Sequence, residues 1–363
     1  MRKILALILI FILGVSAWFY IFRYNRDLKL YQQLPEIKVP QIFPTPTPST
    51  SGLPTAKTLS NDYHVFQTFN NCGPASLSMT LSYLGINKSQ TELGQELRPY
   101  QVASGDNDDK SVTLDEMAGK AEELGFVAYH RPNGNMDLIK QFIANDIPVI
   151  TRTWTKPNED IGHFRVVKGY DNTRGVLIQD DSLQGKNLKF TYADFDVLWK
   201  KFNYEYLVII PKAKQKTAGQ IIGEDINLKT AWTKAAENFR KTLQDDPNDI
   251  DARFNLSVAL YNIGDYSGSV REFEKVEAQL PFRTLWYQIE PIQAYFNLGN
   301  YQRVFEISDH ILNNGNRAYS ELYIIRGNIY LKQGNKEAAR QEFEKAVIYN
   351  ENLKAARDAL NNL

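Results

Sequence analysis

Gln67-Thr68-Phe69-Asn70-Asn71-Cys72-Gly73-Pro74-Ala75-Ser76 holds the only cysteine in a chain of 363 residues. Past it, Ala75, Leu77, Leu81 and Leu84 form an apolar series that fits a helix. Pro74 then falls in the first turn, where a missing N–H costs nothing. Cys72 is thereby expected at the helix start, where unpaired amides and the macrodipole favour a thiolate and lower the thiol pKa. A lone cysteine is more often a small buried hydrophobe. Asn70, Asn71 and Gly73 argue against that here, because they suit a turn and not a core. Gln67, five residues upstream, is spaced to set its side-chain NH2 beside the Cys72 backbone N–H, two donors for an oxyanion.

Outward from this stretch, helix and strand signals alternate. Ser89 with Glu92 and Thr113 with Glu116 have capping-box spacing. Leu114, Met117, Ala118, Ala121 and Leu124 make a helical stripe that stops at Gly125. Residues 126–129 read as a strand and 136–144 as a short helix. Further strands are expected over 148–154, 163–170, 175–180 and 204–210, with a helix over 192–202. Helices first and an antiparallel sheet after is an α+β pattern. Of the four histidines, His163 opens an apolar strand directly after the polar loop 156–162, a position from which an imidazole reaches across a cleft. His64 precedes the cysteine motif and reads as a surface residue.

Three segments together resemble the papain-like cysteine peptidases, and within them the bacteriocin-processing family that cleaves after double-glycine leaders. Gln67-x4-Cys72-Gly73-Pro74-Ala75 matches the nucleophile motif. Gly162-His163-Phe164-Arg165-Val166-Val167-Lys168-Gly169-Tyr170-Asp171 matches the base strand. Val176-Leu177-Ile178-Gln179-Asp180 matches the strand that closes on the acidic residue. The resemblance covers about residues 60–212. It implies Cys72 as nucleophile, His163 as base, Asp180 as the residue orienting the imidazole, and Gln67 as an oxyanion donor. The family strand commonly ends Asn-Asp-Pro, which places Asp180 in the triad and Asp181 in the proline position. Strand alternation agrees, with Val176, Ile178 and Asp180 on one face.

Before this region, residues 4–22 carry no charge and are long enough to span a bilayer as a helix. Six prolines then fall between Pro35 and Pro54, in a Pro/Thr/Ser-rich stretch that cannot bury a core and reads as an extended stalk. The expected organisation is an anchor or signal segment at 1–25, a linker at 26–58, a papain-like domain at 59–213 and a helical domain at 221–363. The folded part is expected on the extracytoplasmic side of a cell membrane.

The last third repeats. Gly264-Asp265-Tyr266, Gly299-Asn300-Tyr301 and Gly334-Asn335-Lys336 recur every 35 residues, each between two helical segments. This resembles tetratricopeptide repeats, whose period is ~34 residues. The third unit is the clearest, with Tyr323, Gly327, Tyr330, Gly334, Ala339, Phe343 and Ala346 on consensus positions. The second is degenerate, with Pro291 at a helical position. Residues 226–245 are expected as a preceding helix and 353–363 as a terminal cap. Such repeats bind peptides or protein partners on a concave surface.

Lys plus Arg equals Asp plus Glu, so the formal net charge is zero and nothing points to nucleic acid. One cysteine excludes an internal disulfide framework. Asp106-Asn107-Asp108-Asp109-Lys110 fails as a calcium loop, because Lys110 holds the fifth ligand position and Ser111 stands where glycine is needed. No glycine-rich phosphate loop is present, unlike in transporter-fused relatives, and the reaction implied needs no metal or cofactor. The sequence thus points to a membrane-anchored cysteine peptidase whose repeats bind substrate or partner. The alternatives are a Cys–His amidase or acyl transferase, and a non-catalytic binding scaffold.

Overall fold

The computed structural model describes residues 52–100 and 111–363. The apolar segment 4–22, nearly all of the proline-rich stretch and the acidic loop 106–110 lie outside the described residues. No helix among those described is long and apolar enough to cross a membrane.

The first part is mixed. It runs β1 (Ala56–Thr58), α1 (Cys72–Ser82), α2 (Gln90–Leu97), α3 (Leu114–Glu123), β2 (Val127–Arg131), α4 (Met136–Ala144), β3 (Val149–Trp154), β4 (Gly162–Asp171), β5 (Val176–Asp181), β6 (Gly185–Thr191), α5 (Tyr192–Lys200) and β7 (Tyr206–Ile210). The strands form one antiparallel sheet in the order β2-β7-β3-β4-β5-β6, and β1 pairs with the far end of β4. Both capping boxes are present, Ser89 with Glu92 and Thr113 with Glu116, so these two helices start where local chemistry places them. Strands β1 and β6 had no clear sequence signal. Residues 186–191 alternate half-buried and exposed as an outer strand should, but Lys186 takes one half-buried position and leaves only Leu188 and Phe190 as the apolar half.

The sheet is covered on both faces. Leu77, Leu81, Ile150, Phe164, Val166 and Leu207 pack under α1 to α3. Ile139, Phe142, Val149, Val167, Phe195 and Trp199 pack under α4 and α5. Consecutive residues of β4 therefore serve opposite cores, which explains its nearly unbroken burial.

The second part is helical: α6 (Gln215–Ile222), α7 (Leu228–Asp245), α8 (Ile250–Asn262), α9 (Tyr266–Glu274), α10 (Thr284–Tyr287), α11 (Glu290–Asn297), α12 (Tyr301–Asn313), α13 (Ser320–Lys332), α14 (Lys336–Tyr349) and α15 (Lys354–Asn361). The 35-residue recurrence has a local cause. Gly264, Gly299 and Gly334 end the first helix of each pair at positive φ, 92°, 75° and 79°. There a glycine avoids the Cβ penalty. The next residue, Asp265, Asn300 or Asn335, caps the second helix by accepting from the N–H of Gly268, Arg303 or Ala338. Gly327 lets α13 approach α14, since a Cβ there would sit 2.3 Å from the Phe343 ring.

Pro291 does not interrupt a helix. It stands in the first turn of α11, where its missing N–H costs nothing. The consequence lies upstream. The first helices of the flanking pairs have 13 residues each, α11 has 8, and the chain before it forms the separate turn α10.

The two parts pack on each other. Arg98, buried after α2, joins Glu116 to Glu321 of α13. Lys200 and Lys201 pair with Asp249 and Asp251 at the start of α8. The rings of Tyr204 and Phe239 stack with centroids 6.4 Å apart.

Candidate active site

Cys72 is the first residue of α1, preceded by a turn in which Asn70 takes φ 55°. The turn is held by a residue with no obvious sequence signal. Gln90, buried in α2, accepts from the Thr68 N–H at 2.9 Å and donates to the Phe66 carbonyl at 2.7 Å. Both ends of this amide are used, which fixes residues 66–68 against α2.

Gln67 is fastened to the turn that follows β5. Its N–H donates to the Ser182 carbonyl at 2.7 Å, and its Oε1 accepts from the Ser182 hydroxyl at 2.9 Å. With Oε1 engaged, Nε2 is the end of the amide left for a ligand in the cleft that Gln67 lines.

His163 is the second residue of β4 and its side chain is 2 % exposed. Its Nε2 lies 2.8 Å from Oδ1 of Asp181. Asp180, expected here, is elsewhere: its Oδ2 is 2.7 Å from Lys168 Nζ and its Oδ1 accepts from the Asn187 N–H. The register explains the correction. Arg165 is opposite Asp181 and Val166 is opposite Asp180. His163 and Arg165 share one face of β4, so Asp181 shares it too, while Asp180 and Lys168 occupy the other. Each aspartate therefore meets its own buried cation.

Asp181 is the most heavily held group of the site. Oδ1 also accepts from the backbone N–H of Leu183 and Gln184, and Oδ2 forms an ion pair with Arg165 Nε at 3.0 Å. Burial opposes its charge, but His163, Arg165 and these amides overcome it and bring the carboxyl to about 2. A carboxylate accepts only, so Nε2 of His163 carries the proton and Nδ1 is the basic nitrogen. Burial, with a contribution from Arg165, holds the imidazole below its ordinary pKa, against the pull of Asp181. His64, expected at the surface, is half-buried, and its Nε2 lies 3.0 Å from the Asp181 carbonyl.

Cys72 is 5 % exposed. Burial pushes its thiol up to about 11, and the backbone N–H groups of Gly73 and Phe164, with the charge of Arg152, only partly offset this. The lowered thiol pKa expected from the helix start is thus reversed: desolvation outweighs the helix end. Burial thus favours the neutral form of both the thiol and the imidazole.

Cys72, His163 and Gln67 line one cleft of about 380 Å³. The cleft thus gathers a thiol flanked by backbone amides and an imidazole held by a carboxylate, the residue types of thiol–imidazole chemistry.

Residues 57–207 match the family model described as Peptidase_C39 like, and residues 320–353 match that described as Tetratricopeptide repeat. This is a C39-peptidase-like domain joined to tetratricopeptide repeats. Among solved structures, the C39-like domain is similar to a C39-like peptidase from Bacillus anthracis, at 17 % identity over 43 % of this chain and 98 % of that one, with TM-score 0.38. It is also similar to the peptidase domain of Streptococcus ComA, at 25 % identity over 41 % and 97 %, with TM-score 0.33. The tetratricopeptide-repeat protein YrrB resembles this chain at 16 % identity over 41 % and 73 %, with TM-score 0.34. No curated protein sequence matches.

Proposed function

We propose that the chain is a cysteine peptidase of papain-like fold that hydrolyses peptide bonds through Cys72, His163 and Asp181, with Gln67 as oxyanion donor. One observation carries this reading. The imidazole of His163 is tied by Nε2 to a buried carboxylate, leaving Nδ1 basic, in the same cleft as the only cysteine of the chain.

The peptide carbonyl enters beside the start of α1. The Cys72 thiol gives its proton to His163 Nδ1 as sulfur attacks the carbonyl carbon. Negative charge moves to the carbonyl oxygen, where the Cys72 N–H and Gln67 Nε2 stabilise it. The intermediate collapses, His163 returns the proton to the leaving amine, and an acyl thioester remains on Cys72. Water then attacks the thioester with His163 again as base, releasing the acid and the thiol. Asp181 keeps its proton-free form throughout and fixes the imidazole tautomer. Since burial favours the neutral form of both groups, this reading has the thiolate–imidazolium pair form as the sulfur attacks.

In this reading the repeats recruit substrate or a protein partner, and residues 4–22 hold the enzyme to a membrane with its folded part outside the cytoplasm. The test is a proteome-derived peptide library incubated with the full chain, new termini being read by mass spectrometry. Wild type is expected to generate defined cuts and Cys72→Ala none. A wild type without cuts would overturn the reading.

A further inference from the structure

The cleft at Cys72 has walls from both parts of the chain. Gln67, Phe69, Ile161, His163 and Leu183 come from the C39-like domain, and Arg283, Trp286, Tyr287 and Asn316 from the repeats. We infer that the irregular second repeat is a specificity element, in which Trp286, Tyr287 and Asn316 bind the peptide segment next to the reacting carbonyl and select an apolar side chain there. This rests on the cysteine-peptidase reading of the cleft.

Four observations lead to it. First, the departure from repeat regularity and the cleft coincide: the turn Thr284–Tyr287 is the segment displaced by the short α11. Departures of this kind concentrate at functional sites. Second, the Tyr287 ring lies over the residue that precedes His163, since a Cβ at Gly162 would be 2.9 Å from it. Third, the segment is clamped at both ends. The Arg283 N–H and guanidinium both donate to Asp160 at 2.9 Å, the Tyr287 carbonyl accepts from Arg152 at 3.1 Å, and Gln288 bonds to Asn203 and to the Lys201 carbonyl. It is a fixed wall rather than a swinging flap. Fourth, Asn316 is 1 % exposed and lines the cleft, yet its Oδ1 has no hydrogen-bond partner among the described residues. A buried amide oxygen without a donor is costly, and a peptide N–H is the donor that a bound substrate would bring.

The side-chain preference follows from the lining. Phe69, Ile161 and Leu183, 44 %, 44 % and 52 % exposed, line the same cleft as Trp286 and Tyr287. The one repeat-derived cation, Arg283, is already neutralised by Asp160. The chemistry that fits is an apolar side chain between aromatic and aliphatic walls, with one backbone N–H on Asn316.

The experiment alkylates Cys72 in the full chain with two capped peptidyl chloromethyl ketones, one carrying leucine and one serine beside the electrophile. The ratio of the two second-order rate constants does not depend on the fraction of folded protein, so a poorly folding variant still reports. Wild type is expected to prefer leucine by ten-fold or more. Trp286→Ala and Tyr287→Ala should bring the ratio near one, Tyr287→Phe should keep it, and Asn316→Ala should slow both reagents about equally. A wild-type ratio near one, or a ratio unchanged in both alanine variants, would overturn the proposal. A wild type that shows the preference but hydrolyses no peptide would remove the peptidase reading and leave the wall assignment standing.

Discussion

Nε2 of His163 and Oδ1 of Asp181 are 2.8 Å apart on one face of the sheet, while Asp180 reaches Lys168 on the other. Adjacent aspartates thus have separate tasks, and their amide variants should separate too. Asp181→Asn should lose on the order of 10³- to 10⁴-fold in turnover, because the imidazole tautomer is no longer enforced. Asp180→Asn should keep turnover per folded molecule but unfold more easily, since buried Lys168 loses its anionic partner. Peptide hydrolysis normalised to folded protein, with denaturant melts, checks both.

The thiol of resting Cys72 should be sluggish. With its pKa raised to about 11, little thiolate exists at neutral pH. Iodoacetamide alkylation should be slower than that of a free thiol at pH 7 and should climb until the pH passes about 11. A reaction that is fast and flat from pH 5 upward would show a preformed thiolate–imidazolium pair instead.

Arg165 is fully buried, pairs with Asp181, and donates to the Trp154 and Thr155 carbonyls at 2.7 Å each. Arg165→Met should cost about 3–5 kcal/mol, the usual penalty for breaking a buried pair. It should also raise the His163 pKa, because a cation that disfavours the imidazolium is gone. Urea titration reads the first effect and histidine NMR the second.

Much of this was legible because local chemistry suffices. The two capping boxes, the three Gly-Asp or Gly-Asn turns, and Pro74 at a helix start are all decided within a few residues. The acidic partner of His163 was not, because it depends on cross-strand register. Strand alternation tells that Asp180 and Asp181 face opposite ways but not which way either faces. The irregularities after Val167 in β4 and after Gln179 in β5 also disturb any count made from strand ends. The cation pattern held the clue: Arg165 has the parity of His163 and Lys168 does not. The repeat-derived wall was out of reach for a different reason. Pro291 signalled an irregular unit, but nothing local says that Trp286 and Tyr287 meet a cleft more than a hundred residues upstream. Gln90 was likewise hidden, since a polar residue one position after a cap usually faces water.

His130 gives a prediction about stability. Burial opposes its charge, but Asp115 at 2.6 Å and Glu205 at 3.2 Å push its pKa up to about 9. A histidine raised in the folded state contributes stability that is fully present below its unfolded value of ~6.5 and is lost as pH rises through the folded one. The difference in unfolding free energy between wild type and His130→Gln should therefore be largest below pH ~6.5 and shrink steadily towards pH 9. A difference that grows with pH would mean that His130 is buried neutral.

The most direct measurement is of the covalent step at Cys72. Full-length protein is mixed with a cleavable peptide, quenched in acid and fragmented in the mass spectrometer. The acyl portion of the peptide is expected as a thioester on Cys72, absent from Cys72→Ala, which also leaves the peptide whole. An acyl group on another residue, or peptide cleavage that persists in Cys72→Ala, would contradict it.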